Sequence, residues 1–193
     1  MNWKTIFNPF ERFDDKQILV AGILTVVAAI LTGYWTDSFF SSIYKINSLE
    51  KTSLQAVAIP TLTSFALAIL ILFILGKILN GKTRFIDIVN TVLISQMALV
   101  VLQAVSQIPY IDKAQEHMIS YQTNPTGAFP VFDFIVMMSM ASFVIAVLIY
   151  SITVYYNGFK TATNLKKWQH IVLFGVVSLI MIIVCQILTA KYL

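Results

Sequence analysis

The sequence predicts an all-α membrane protein: five transmembrane helices joined by short loops and preceded by an interfacial amino-terminal segment. Three observations carry that prediction. Of the 193 residues, 58% are hydrophobic and 11% charged, against about 45–50% apolar and about 25% charged in soluble domains. Five stretches (17–36, 52–76, 88–111, 134–159 and 168–190) contain no Asp, Glu, Lys or Arg, and together hold 118 of the 193 residues. The shortest has 20 residues, and a helix needs about 20 apolar residues to cross a hydrocarbon core about 30 Å thick. Length then allows a single domain, 1–193, with no room for a soluble catalytic unit.

Taken in order, residues 1–16 read as an entry segment. Asn8-Pro9-Phe10-Glu11 has a capping residue, proline at the first helical position and an acid at the third, which predicts a helix start. Trp3, Phe7, Phe10 and Phe13 recur at helical spacing; they can lie at the lipid boundary or pack beneath the spans. The first apolar run follows Lys4, Arg12 and Lys16 as a signal peptide would. It is too long for a signal h-region and ends in Tyr34-Trp35 without a small-x-small cleavage site, so it reads as a retained span. The connector 37–51 mixes Phe39, Phe40, Ile43, Tyr44 and Ile46 with polar residues and is expected to hug the outer surface. Pro60 falls near the outer end of the second run, where a membrane helix tolerates it. Residues 110–130 are the longest polar stretch, with a short helix expected around 112–119. The 16-residue gap 117–132 contains Pro125, Gly127 and Pro130 and reads as a loop.

The bordering charges give an orientation. The amino terminus and the second and fourth loops carry nine Lys or Arg, and the opposite side carries four. Basic residues favour the cytoplasmic side, so the expected topology in a cell inner membrane has the amino terminus inside and the carboxyl terminus outside. Tyr34, Trp35 and Tyr110 serve as outer aromatic anchors, and Tyr155, Tyr156 and Trp168 as inner ones. The net charge of +4 is scattered over connectors, which matches lipid head groups and not nucleic acid.

Gly76-Lys77-Ile78-Leu79-Asn80-Gly81-Lys82-Thr83 satisfies the P-loop pattern G-x-x-x-x-G-K-[ST]. That chemistry needs a preceding strand and a surrounding parallel sheet; here a membrane helix precedes and the next apolar run follows at once. The glycines are therefore read as stopping the second helix and turning the chain, with Lys82 and Arg84 toward lipid phosphates, and no nucleotide is expected. Gln96, Gln103 and Gln107 fall on one helical face of the third span, a polar seam that serves either as a hydrated solute path or as hydrogen-bond glue between helices. No span centre carries an ionisable residue, which favours glue.

Asp87 and Asp133 open the third and fourth spans, where a helix N-terminus stabilises negative charge. Cys185, the one cysteine, is expected to pack, and His117 and His170 lie near opposite surfaces, too far apart to share a metal. Ala29-x-x-x-Gly33 and Ser64-x-x-x-Ala68 allow close helix approach. There is no H-E-x-x-H and no G-x-S-x-G. No catalytic, cofactor or metal residue is assigned.

Four local patterns point further. They are Trp3-Lys4-x-Ile6-Phe7-x-Pro9, the Gly-Lys turn followed by Phe85-Ile86-Asp87, Gln107-Ile108-Pro109, and Gly158-Phe159-Lys160-Thr161-Ala162. In these the chain resembles the Yip-domain (Ypt/Rab-interacting protein) membrane family in its short bacterial form, over nearly the whole length. The resemblance implies a five-span fold and a non-enzymatic role. Eukaryotic relatives act in vesicle trafficking and membrane shaping and contact small GTPases through the cytoplasmic face; this chain lacks their long hydrophilic amino-terminal region. The expected function is a non-catalytic adaptor, scaffold or membrane organiser, with membrane-protein partners or a homo-oligomer. Its expected contact surface is Lys82, Arg84, Asp87, Lys160, Lys166 and Lys167. A small transporter or permease subunit using the polar seam is the alternative.

Overall fold

The computed structural model describes residues 3–125 and 128–192. The loop expected at Gly127, and the placement of the Trp3 side chain, lie outside what is described. Among the described residues five helical segments are long and apolar enough to cross a membrane. The chain enters through a short helix α1 (Trp3–Phe7) and a single 3-10 turn at Pro9–Glu11. The spans follow as α2 (Asp15–Trp35), α3 (Leu54–Leu79), the pair α4 (Phe85–Ser95) and α5 (Met97–Val105), α7 (Val131–Thr163) and α8 (Trp168–Thr189). Two strands, β1 (Ser38–Ser42) and β2 (Lys45–Ser48), join α2 to α3, and α6 (Pro109–Thr123) joins α5 to α7.

The spans alternate in direction. One end, the basic face, gathers the starts of α2, α4 and α8 with the ends of α3 and α7; the other holds the hairpin and α6. Two helix ends are closed by capping. Ser53 Oγ accepts from the Ala56 N–H at the start of α3, and Asn164 (φ 52°) gives α7 a left-handed C-cap. Buried residues of α2 are mostly small: Ile18, Gly22, Thr25, Ala29 and Gly33 form one stripe. That stripe faces the chain's own helices. A Cβ on Gly22 would stand 2.8 Å from Leu93 Cβ, and one on Gly33 would stand 2.7 Å from Val57 Cγ1. The Ala29-x-x-x-Gly33 pattern therefore packs intramolecularly.

The largest departure from expectation is the connector 37–51. Only part of it lies at the surface: β1 is buried along its whole length, with Phe39, Phe40 and Ile43 fully enclosed, whereas β2 is exposed at Lys45 and Ser48. Non-helical backbone is tolerated at membrane depth only where the protein satisfies its polar groups. Phe40 turns its backbone away from β2 and toward α3, where its N–H donates to Thr61 Oγ1 (3.2 Å) and its carbonyl accepts from Ser64 Oγ (2.9 Å). Thr189 Oγ1 of α8 donates to the Ser41 carbonyl (3.1 Å). The Tyr44 ring reaches the Tyr155 ring at 6.0 Å, and Tyr155 Oη lies 3.4 Å from Ser178 Oγ. Ser178 is midway along α8, so the hairpin re-enters the bundle, while Lys45 beside its tip stays exposed and donates to Gln186 Oε1 near the end of α8 (3.2 Å).

Other expectations are corrected by the same packing. Tyr155 is buried against Tyr44 and Phe174 and is not an interfacial anchor, whereas Trp35 and Trp168 are exposed at helix ends. The third span is not one continuous helix, because it breaks at Gln96 between α4 and α5. Gly76 lies inside the last turn of α3, which ends at Leu79 with Asn80 as its C-cap. Asn8 makes no side-chain cap, and the expected helix start is only the 3-10 turn. The helix expected around 112–119 extends over Pro109–Thr123. The amino-terminal segment packs on the flank of α7: the Phe7 and Tyr150 rings lie 5.6 Å apart. Tyr150 Oη donates to the Ile6 carbonyl (3.2 Å) and Asn157 Nδ2 to the Phe7 carbonyl (2.9 Å).

Candidate functional site: the basic face

At the basic face the starts of α2 and α4 and the end of α7 converge. Arg84, the residue before α4, bridges two acids, with Nη2 at 2.8 Å from Asp15 Oδ2 and 2.6 Å from Asp87 Oδ1. Its Nε also donates to Asp87 Oδ2 at 3.0 Å, making the Asp87 contact bidentate. Hydrogen bonds and charge from Asp87, with a smaller contribution from Asp15, push the Arg84 pKa above its ordinary value. The Arg84 side chain is 61% exposed, and surface ion pairs are worth only about 0–1 kcal/mol. The triad ties the start of α2 to the start of α4. Beneath it Asn90 is buried and donates Nδ2 to the Asp15 carbonyl (3.1 Å), a second tie between the same helices. Asp15 and Asn90 were not singled out in the sequence; an amide inside an otherwise apolar stretch was the available signal.

Of the residues expected to form a contact surface, Arg84 and Asp87 are thus engaged with each other. Lys82, Lys166 and Lys167 are exposed. Lys160 lies 5.9 Å from the centre of the Tyr156 ring, a cation–π distance that holds it along α7. The basic face therefore presents exposed lysines around a cluster in which one guanidinium faces two carboxylates.

The residues of the P-loop pattern close on themselves. Thr83 is buried, and its Oγ1 donates to the Gly76 carbonyl (3.0 Å) and the Asn80 carbonyl (2.8 Å). Asn80 Nδ2 donates to the Thr163 carbonyl (3.2 Å), pinning the turn to the end of α7. Lys77 Nζ donates to the Gly81 carbonyl (3.0 Å). These groups cap α3, where a phosphate cradle would need open N–H groups.

The expected seam is divided. Gln103 Nε2 donates to Ser38 Oγ of the hairpin (2.9 Å) and Gln96 Nε2 to Ser95 Oγ (2.9 Å), both amides being buried. Gln107 lies beyond the end of α5 and is exposed, so it does not share their face. At the opposite end Asp133 holds α6 to α7, accepting from Tyr110 Oη (3.1 Å) and lying 3.0 Å from His117 Nδ1. Cys185 is in the core, its Sγ 3.8 Å from the Ser64 carbonyl. Among the described residues no three His, Cys, Asp or Glu side chains come together as a metal site.

This architecture, a five-span bundle with its turn chemistry at the basic face, is matched by a family model, the Yip1 domain, over residues 3–189. The chain belongs to the Yip1 domain family. It is accordingly a multi-pass membrane protein of the Yip type, and the match runs from α1 through α8, taking in the re-entrant hairpin. Comparisons with curated proteins and with solved structures return no match.

Proposed function

We propose that this Yip1 domain is a non-catalytic membrane adaptor whose basic face, lying in the cytoplasm, holds acidic surfaces of partner membrane proteins. The observation that carries the reading is the contrast between its polar groups. Thr61, Ser64, Gln103 and Thr189 within the spans are engaged by the hairpin, whereas Lys82, Lys166 and Lys167 stand exposed around the Arg84 triad. The excess of nine basic residues over four supports the cytoplasmic placement of this face. A solute path is less well supported, because Gln103 is bonded to the hairpin and Gln107 lies off the face.

Replacing Lys82, Lys166 and Lys167 together by Glu is expected to reduce in-cell crosslinking to partner membrane proteins at least several-fold. These side chains are exposed, surface changes move stability by only about 0.5 kcal/mol each, and Glu at Lys167, the N-cap of α8, suits a helix N-terminus, so the spans remain inserted. Crosslinking that persists at its original level in the triple variant contradicts the proposal.

A further inference from the structure

A groove of about 720 Å³ opens on the flank of the bundle near the basic face. The amino-terminal segment forms one wall, α2 and the α4–α5 junction form the other, and Tyr150 of α7 stands at the back. It exists because α1 is strapped to α7 through Ile6 and Phe7, away from α2. Its walls are overwhelmingly apolar, with Phe13, Ala21, Ile94 and Met97 among them. Phe13 and Met97 are exposed along it, so the groove is open to the side.

Polarity along the groove is graded. Arg12 is the only charged residue among its described lining and precedes the first residue of α2 by three positions. Its Nη1 makes one bond, to Thr5 Oγ1 (3.2 Å), and most of the five guanidinium N–H donors stay available. On the α4–α5 side the lining residues are Ile94 and Met97, and Met97 stands twelve residues beyond Phe85, the first residue of α4, so the inner end of the groove lies about 18 Å from the basic face at 1.5 Å per residue. That is close to one leaflet, about half of a 30 Å core.

We infer that this groove is a binding site for one anionic phospholipid. Its phosphate pairs with Arg12 and one acyl chain lies along Ala21, Ile94 and Met97 to Tyr150. Immersion of the spans places lipid at the open side, and the single cation at the entry selects the sign of the head group. A cation at the entry and an apolar groove whose inner end lies about 18 Å from the basic face complement a phospholipid end to end.

The test is native mass spectrometry of the purified full chain in detergent with equal phosphatidylglycerol and phosphatidylcholine. The wild type is expected to retain one phosphatidylglycerol in preference to phosphatidylcholine. Arg12→Gln, at an exposed position, should lower that preference at least several-fold, and Lys166→Gln, on the same face outside the groove, should leave it unchanged. Ala21→Trp, which fills the groove, should reduce retention of both lipids. Equal loss of preference in Arg12→Gln and Lys166→Gln, retention of phosphatidylcholine as strongly as phosphatidylglycerol, no retained lipid, or a second copy of the chain in its place each overturns the inference. Should Ala21→Trp fail to fold, the comparison of the Arg12 and Lys166 variants still decides it. The proposed adaptor role stands or falls separately, on crosslinking through Lys82, Lys166 and Lys167.

Discussion

Thr61→Val combined with Ser64→Ala is expected to lower the unfolding temperature by about 4–24 °C. The two hydroxyls satisfy both backbone groups of Phe40, the N–H through Thr61 and the carbonyl through Ser64. Both side chains are fully buried, so no water replaces them. Leaving a buried polar group unsatisfied costs about 1–3 kcal/mol, and two such groups cost roughly 2–6 kcal/mol. In a chain of this size each kcal/mol moves the midpoint by about 2–4 °C, which gives the range stated. Cys185 supplies the readout. It is the sole cysteine and fully buried, so a thiol-reactive fluorophore labels it as the bundle opens. Thr63→Val is the control, because its hydroxyl bonds only to Ile59 in its own helix. A double variant that melts with the wild type would show that the hairpin is not seated by these hydroxyls.

The second large effect is expected at Gly158, where α7 crosses α4. A Cβ there would lie 2.6 Å from Thr91 Oγ1 and 2.8 Å from the Phe10 ring. Gly158→Val must therefore part α7 from α4 or displace the amino-terminal segment. Overpacking of this kind costs about 1–3 kcal/mol. Phe10 moves with it, so trypsin should cut after Arg12 faster than in the wild type. Gly175, also helical, is the contrast: a Cβ there meets nothing within 4 Å, and Gly175→Ala should be neutral or stabilising by up to about 1 kcal/mol. Equal melting shifts for the two variants would remove the close α4–α7 contact from the account.

What the sequence made legible follows from where membrane constraints act. A span must exclude charge over its whole length, so the five helices announce themselves, and a helix N-terminus favours an acid, which points to Asp87. The hairpin was hidden for a physical reason. Ser38-Phe39-Phe40-Ser41-Ser42 is buried on both faces, so it lacks the apolar–polar alternation that marks a half-buried strand. Its hydrogen-bond partners, Thr61, Ser64, Gln103 and Thr189, lie on three other elements, and one sequence gives no sign that they converge. Gln107 misled because helical spacing was extended past the end of α5. On the basic face, the lysines that border the spans could be read from sequence. The Arg84 bridge to Asp15 could not, because it joins residues 69 positions apart. Pairing engages the exposed Arg84 guanidinium with Asp15 and Asp87, whereas Lys82, Lys166 and Lys167 stand exposed outside that cluster.

The adaptor reading is tested most directly by site-specific photocrosslinking in intact cells. A crosslinking residue is placed at position 166 on the basic face, or at position 113 on α6 at the opposite end; both positions are exposed. The account predicts discrete crosslinked membrane proteins, identified by mass spectrometry, from position 166 and none of them from position 113. The same products from both positions, or none from position 166, would contradict it.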